Sequence, residues 1–326
     1  MSNQPKWLAF DGQKIKDPFF PVELCDAAYE RTVIDQDGVP VQEIKVSPRH
    51  RAVVDVETDY VFSMVTDSYE LITNRDAIEL GKECFKTVFT KVDHQDMELF
   101  NSIMPATRSF CHMDLVHKDA EYNYFGESPW TPYIRITNSY NRTKLLQFDI
   151  GFCRGACRNG LIFRPESIVF KKSHRKSATE ELQEQFTLQR GTFEEMEEAF
   201  TASLRTLGSE RIPKKFMWPL FCKVFSVSKP DDSTSQSQAL RFTNLKTYVS
   251  DLVDKYCTEL GENGFAAMNV LTDYASRPKY EVGGESGRAH SMQVASGIWI
   301  EDFSNEVKKP NFHIGNYLGP HMLLAT

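Results

Sequence analysis

Residues 131–176 read "TPYIRITNSYNRTKLLQFDIGFCRGACRNGLIFRPESIVFKKSHRK", and the way they fold decides how the rest of the chain is read. "YIRITNS" and "TKLLQFDIG" read as two strands joined by a hairpin at "YNR". "ESIVFKK" reads as a further strand. Alternate side chains of a strand share a face, so Tyr133 and Arg135 fall on one side of the first strand and Ile134 and Ile136 on the other. The same stretch holds ten Lys or Arg against two acids, Asp149 and Glu166, a local charge of +8 in a chain of −7. The other 280 residues therefore carry −15.

Working outward toward the N-terminus, "RAVVDVETDYVFSMVTDSYELI" (51–72) is rich in Val, Tyr, Phe and Thr with turn-like "ETD" and "TDS", which suits short strands. Thr73 and Asn74 offer an N-cap to a helix whose apolar positions Ala77, Ile78, Cys84, Phe85, Val88 and Phe89 recur at helical spacing. A second short helix is expected from Asp96 to Met104, stopped by Pro105. "RSFCHMDLVH" (108–117) alternates Cys111, Met113 and Leu115 with His112 and Asp114, the pattern of a half-buried strand.

After residue 176 the character changes. Seven Glu and one Arg fall between 177 and 200 in a helical pattern, and amphipathic helices follow to the C-terminus. "SKPDDSTSQSQ" (228–238) is polar and aperiodic, the signature of a mobile loop or linker. The layout is α+β: an antiparallel strand-rich N-terminal half with a central hairpin, then a helical C-terminal half. It divides into an N-terminal extension (1–50), a strand-rich core with the basic hairpin region (51–176), and a helical region with a polar loop at 228–238 (177–326).

The chain has 326 residues, 41% hydrophobic and 25% charged, enough to bury a large core without disulfides or metals. No apolar run reaches 18 residues, so no transmembrane helix is expected. The start "MSNQPKWLAFDGQK" lacks a signal-peptide pattern, and a cytoplasmic location is expected. Seven cysteines, an odd number, read as free core thiols.

Cations interleaved with aromatics are what a single-stranded nucleic acid needs. The cations neutralise phosphates, and aromatic faces stack on unpaired bases for ~1–3 kcal/mol each. The candidate phosphate contacts are Arg135, Arg142, Lys144, Arg154, Arg158, Lys171, Lys172, Arg175 and Lys176, and the candidate stacking residues are Tyr133, Tyr140 and Phe170. The competing reading makes the aromatics core and pairs the cations with the Glu-rich helix that follows. Other chemistry finds less support. Cys153 and Cys157 have no second Cys/His pair at zinc spacing, so no metal site is expected. His112 and His117 lie five apart, on opposite faces of a strand. Asp149, Glu166 and Lys171 or Lys172 suggest a metal-dependent nuclease, but "ESIVFKK" lacks the acid-x-Lys spacing. There is no P-loop motif, and "EVGGESGRAH" lacks the context of a dinucleotide site, so no cofactor is expected. Asn159–Gly160 reads as a tight turn or as a backbone approach to a phosphate.

Three segments together resemble the phage/plasmid-like protein family also called domain of unknown function 932. They are "YELITNRDAIELGKE", then "SYNRTKLLQFDIGFCRGACRNGLIF", then "AAMNVLTDYASRP" followed by "SGRAHSMQVASGIWIEDF". Cys157, Arg158 and Asn159 stand at that family's Cys-Asn turn. Asn269, Thr272, Asp273 and Tyr274 match its late helix pattern, with Asp in place of Glu. The resemblance spans about residues 50–305 and implies a mobile-element setting without supplying catalytic residues.

The expected function is a non-catalytic, single-stranded-DNA-binding protein of a phage or mobile element, such as a strand-annealing or recombination factor acting as a homo-oligomer. The alternatives are a metal-dependent nuclease using Asp149 and Glu166, or a module that binds a host defence protein through its acidic half.

Overall fold

A computed structural model describes residues 17–88, 97–117, 130–154, 159–163, 169–175, 177–188, 192–231, 233–279 and 285–324. The expected hairpin is its centre. Strands β6 (Trp130–Ser139) and β7 (Leu146–Arg154) pair antiparallel, with Ile134 opposite Ile150 and Arg135 opposite Asp149. Strands β4 (Met97–Ile103) and β5 (Phe110–His117) extend the sheet on one side. On the other side, β8 (Asn159–Ile162) and β9 (Val169–Lys172) pair with the two ends of β7. Upstream, β1 (Val22–Ile34), β2 (Pro40–Asp55) and β3 (Tyr60–Thr66) form a separate three-stranded sheet.

Helix α1 (Asn74–Val88) follows β3, and its first turn is fixed by Thr73 and Asp76, each accepting from the other's backbone N–H. The C-terminal half is helical: α2 (Ala178–Leu188), α3 (Thr192–Ser209), α4 (Met217–Phe225), α5 (Gln236–Leu260), α6 (Gly264–Ser276), α7 (Glu285–Val307) and α8 (Ile314–Leu318). The fold class is the α+β arrangement expected from the sequence.

The central sheet is covered on both faces. Ile134, Ile136, Phe148, Ile150 and Phe152 belong to one large core shared with α1, α2 and α3. Phe148 meets Phe186 edge-on, and Phe152 stacks on Phe200 at 4.0 Å. On the other face a small cluster of Phe100, Val116, Tyr133 and Cys153 sits beside a polar row. There Gln293 of α7 accepts from Arg135.

Four local expectations are corrected. Residues 97–103 form β4, not part of a helix, because β5 offers a free row of backbone groups and a seven-residue apolar pattern is too short to choose its own period. Strand β5 is buried on both faces: His112 and Asp114 are as enclosed as Cys111, Met113 and Leu115, since helices cover both sides of this sheet. Asn159 and Gly160 are paired residues of β8, not a turn. Gln236–Gln238, expected in the polar loop, make the first turn of α5, held by a reciprocal Ser235–Gln238 capping box. In addition, β2 runs across the expected boundary at residue 50, so residues 22–50 are continuous with sheet structure.

Candidate functional site

Burial divides the basic block. A guanidinium inside a protein needs a counter-charge and its donors filled, or the desolvation cost is prohibitive. Arg135 meets that demand fully. Its Nε and Nη2 donate to the two carboxylate oxygens of Asp114 at 2.6 Å each, Nη1 donates to Gln293, and the side chain is 0% exposed. Arg154 is likewise buried, donating to Asn269 Oδ1 at 3.1 Å and to Glu259 at 2.6 Å.

Three aromatics expected to stack on bases are core residues. Tyr133, Tyr140 and Phe170 are each at most 1% exposed. Tyr140 accepts the Asn74 backbone N–H and stacks on Phe62; Phe170 meets Phe186. Lys172 is paired with Glu181 of α2 at 2.5 Å, so the Glu-rich helix acts here as an internal counter-charge. The Lys172 hydrogen bond, then that of Ser177 and the nearby Lys172 and Arg175 charges, holds the Glu181 carboxyl below its usual range. Six of the twelve candidates (Arg135, Arg154, Lys172, Tyr133, Tyr140 and Phe170) therefore do not line an open groove. Arg158, Lys176 and the Lys171 side chain lie outside the described residues.

Arg142, Lys144 and Arg175 remain. Arg142 is at the tip of the β6–β7 hairpin with φ of 62°, a left-handed conformation uncommon outside glycine, and its Nη1 donates to Met64 O at 3.3 Å. The Lys144 ammonium lies 4.9 Å from the Phe110 ring centroid. Among the described residues neither cation is ion-paired to a carboxylate. Both line a cavity of about 270 Å³ between the hairpin tip, the turn after β3 and the turn after β9. Ser68, Ser139 and Ser173 also line it, while Asp67, the acid in the first turn, does not. Arg175 is exposed next to this cavity.

Tyr69 and His174 line this cavity too, beside Val65, Thr66 and Leu145, and sequence reasoning passed them over. Their rings are stacked at 5.4 Å with planes within 8°, and the Tyr69 hydroxyl is 3.3 Å from His174 Nδ1. Burial pushes the Tyr69 phenol up to about 12, with the Arg142 charge opposing, so Tyr69 keeps its proton at neutral pH. Burial also lowers His174 to about 4, against a hydrogen bond to the Glu70 backbone that raises it, so the imidazole is neutral there. His174 Nε2 is buried.

Among the described residues the polar face of the sheet holds no second candidate of this kind. His112 bonds Thr137 at 2.8 Å and stacks on His290. Burial, then the Arg135 charge, keeps His112 well below the ordinary imidazole range. Among the described residues no group of three His, Cys, Asp or Glu could hold a metal ion. The nuclease candidate Asp149 is buried and accepts from Gln147 at 2.6 and 2.8 Å, and Glu166 lies outside the described residues.

The late helix pattern is also internal. Asn269 bridges α6 to Arg154 of β7, and Asn159 donates to Tyr256 at 2.8 Å. Tyr256 donates to Asp273 at 2.6 Å, and Arg277 donates to Asp273 at 2.9 Å. Tyr274 packs against Phe221 and donates to the Lys279 carbonyl. One buried network thus ties β7 and β8 to α5 and α6, and its members hold the fold together.

Residues 61–295 match the family model described as "Domain of unknown function (DUF932)". No curated protein and no solved structure matches the chain.

Proposed function

The chain belongs to the DUF932 family, and from that premise we propose that it is a non-catalytic binder of single-stranded nucleic acid, with its contact at the hairpin tip. The setting we propose is a phage or plasmid, with strand annealing or recombination as the task. The observation that carries the reading is the convergence of Arg142 and Lys144, both without a carboxylate partner among the described residues, on one cavity rimmed by serine hydroxyls. Such a site offers charge-assisted hydrogen bonds to phosphate oxygens. It is far smaller than a groove along the whole hairpin, because burial and internal ion pairs remove the other described cations except Arg175.

The experiment is a salt titration of affinity for a labelled oligodeoxythymidine. Each neutralised phosphate contributes a slope of ~0.7 in log K against log salt. Replacing Arg142 and Lys144 together with Glu should flatten the slope by about 1.4 if each holds one phosphate. Lys172→Glu serves as the internal comparison and should leave the slope nearly unchanged, since Lys172 is already paired to Glu181. A slope insensitive to the Arg142/Lys144 pair removes this site from the function.

A further inference from the structure

The upstream three-stranded sheet is seated on the core only at its base. Val53, Phe62 and Val65 join the large core, whereas no residue from 28 to 50 is buried. Over that stretch β1 and β2 run on as a two-stranded arm, with Ala28 opposite Val46 and Ile34 opposite Pro40, because β3 pairs with β2 only at residues 50–55. The far end of the arm is held by its own chain. Asp35 Oδ1 accepts the Asp37 and Val39 backbone N–H groups at 2.9 and 2.8 Å, and Gly38 takes a φ of 79°. A lone two-stranded ribbon is nevertheless marginal in water. Six of the sixteen large apolar side chains that stand exposed among the described residues lie within residues 29–46, so this arm is where the molecule shows water its apolar surface. Ile34, Ile44 and Val46, at 67, 74 and 58% exposed, share one face, and the Arg31–Glu43 and Lys45–Glu43 ion pairs occupy the other.

We propose that the outer edge of β2 pairs antiparallel with the same edge of a second copy of this chain, joining the two arms into one four-stranded sheet about a two-fold axis at Ile44. Among the described residues nothing pairs with that edge over residues 40–49, and an unpaired strand edge is a template for another strand. Its sequence, "PVQEIKVSP" (40–48), is self-complementary about Ile44. With Ile44 opposite Ile44, each Glu43 faces Lys45 of the other copy, Gln42 faces Val46, and Pro40 faces Pro48. Apolar pairs and opposite charges set directly across from one another stabilise a sheet. Proline is not tolerated inside a paired strand, so Pro40 and Pro48, equally distant from Ile44, end the pairing on both sides and close the assembly at two copies. The edge of β1 offers less, since pairing centred on Glu30 or Arg31 sets like charges opposite one another. An edge of this length buries less than the ~800 Å² per partner of a standard interface, so the dimer forms in the micromolar range.

The test is sedimentation equilibrium of the full chain, without nucleic acid, from about 1 µM to about 300 µM, which should show a monomer–dimer equilibrium. The two-fold axis makes each substitution count twice. Lys45→Glu sets an acid opposite Glu43 in both halves, and Glu43→Lys sets a cation opposite Lys45, so each variant alone should raise the dimer Kd by about tenfold. Mixing the two variants restores both charge pairs, and the mixture should dimerise near the parental Kd, a rescue that simple damage to the arm does not give. A parent that stays monomeric over the whole range overturns the inference, as does a dimer that neither variant weakens or a mixture that shows no rescue. Amide hydrogen exchange at residues 41–47 separates the other occupants of the edge. Protection that grows with protein concentration supports the pairing of two copies, and protection already complete in the dilute monomer assigns the edge to another part of this chain and overturns it. Neither measurement involves a nucleic-acid strand, so the single-strand reading stands or falls separately.

Discussion

Replacing Asp114 with Asn removes one charge and almost no volume, and tests whether Arg135 is structural. In the native protein the Arg135 guanidinium is 0% exposed and its Nε and Nη2 donate to Asp114 at 2.6 Å. Gln293 fills a third donor, and Asn101 donates to Asp114 at 3.0 Å. Asn at position 114 leaves a buried cation without a counter-charge and sets its amide N–H against either the guanidinium or Asn101. Breaking one side of a buried pair costs ~3–5 kcal/mol, a large part of a typical total of ~5–15 kcal/mol. Urea unfolding followed by tryptophan fluorescence should show a lower midpoint with an unchanged slope. Replacing both partners, Asp114→Leu with Arg135→Met, should recover most of the loss, because a well-packed apolar pair substitutes for a buried ion pair at little cost. A midpoint unmoved by Asp114→Asn, together with loss of strand binding in Arg135→Met, refutes the reasoning and makes Arg135 a ligand contact.

Two further outcomes follow from the packing and from the site. A Cβ at Gly297 of α7 would stand 1.8 Å from the Ile162 backbone oxygen, whereas one at Gly81 of α1 would stand 2.3 Å from the flexible Ile136 Cδ1. Gly81→Ala should cost ~1–3 kcal/mol as a repacked overfilling, and Gly297→Ala more than that because a strand backbone cannot turn aside; thermal melts of the two compare them directly. His174 is held near 4 by burial, from an ordinary 6.5, so its neutral form stabilises the fold above pH 6.5 and that contribution is lost as pH falls through 4. Melting temperatures across this window should fall with acid in the parent, and His174→Gln should remove part of the fall, His112 contributing the rest.

The strands of the central hairpin, the helix after Thr73 and the change to helices after residue 176 were legible because each depends on local period and capping. Those features act over a few residues and are written in the order of the chain. β4 was misread as helix for the same reason: seven residues carry too little period, and pairing with β5 made the choice. The family resemblance was also legible, since its short motifs survive as sequence, although the part they play as a buried network is visible only when Asn159, Tyr256 and Asp273 are seen in contact.

Charge behaves differently. Linear order says that Arg135 and Arg142 belong to one basic block, but it does not say where their counter-charges lie. Asp114 reaches Arg135 from 21 residues away and Gln293 from 158, so the neutralisation is a long-range event. The site itself joins Tyr69 to His174 across 105 residues. The sequence by itself determined the α+β class and the excess of positive charge. The tertiary structure alone decided which of those charges stay in water, because burial is set by what packs against a side chain from distant parts of the chain.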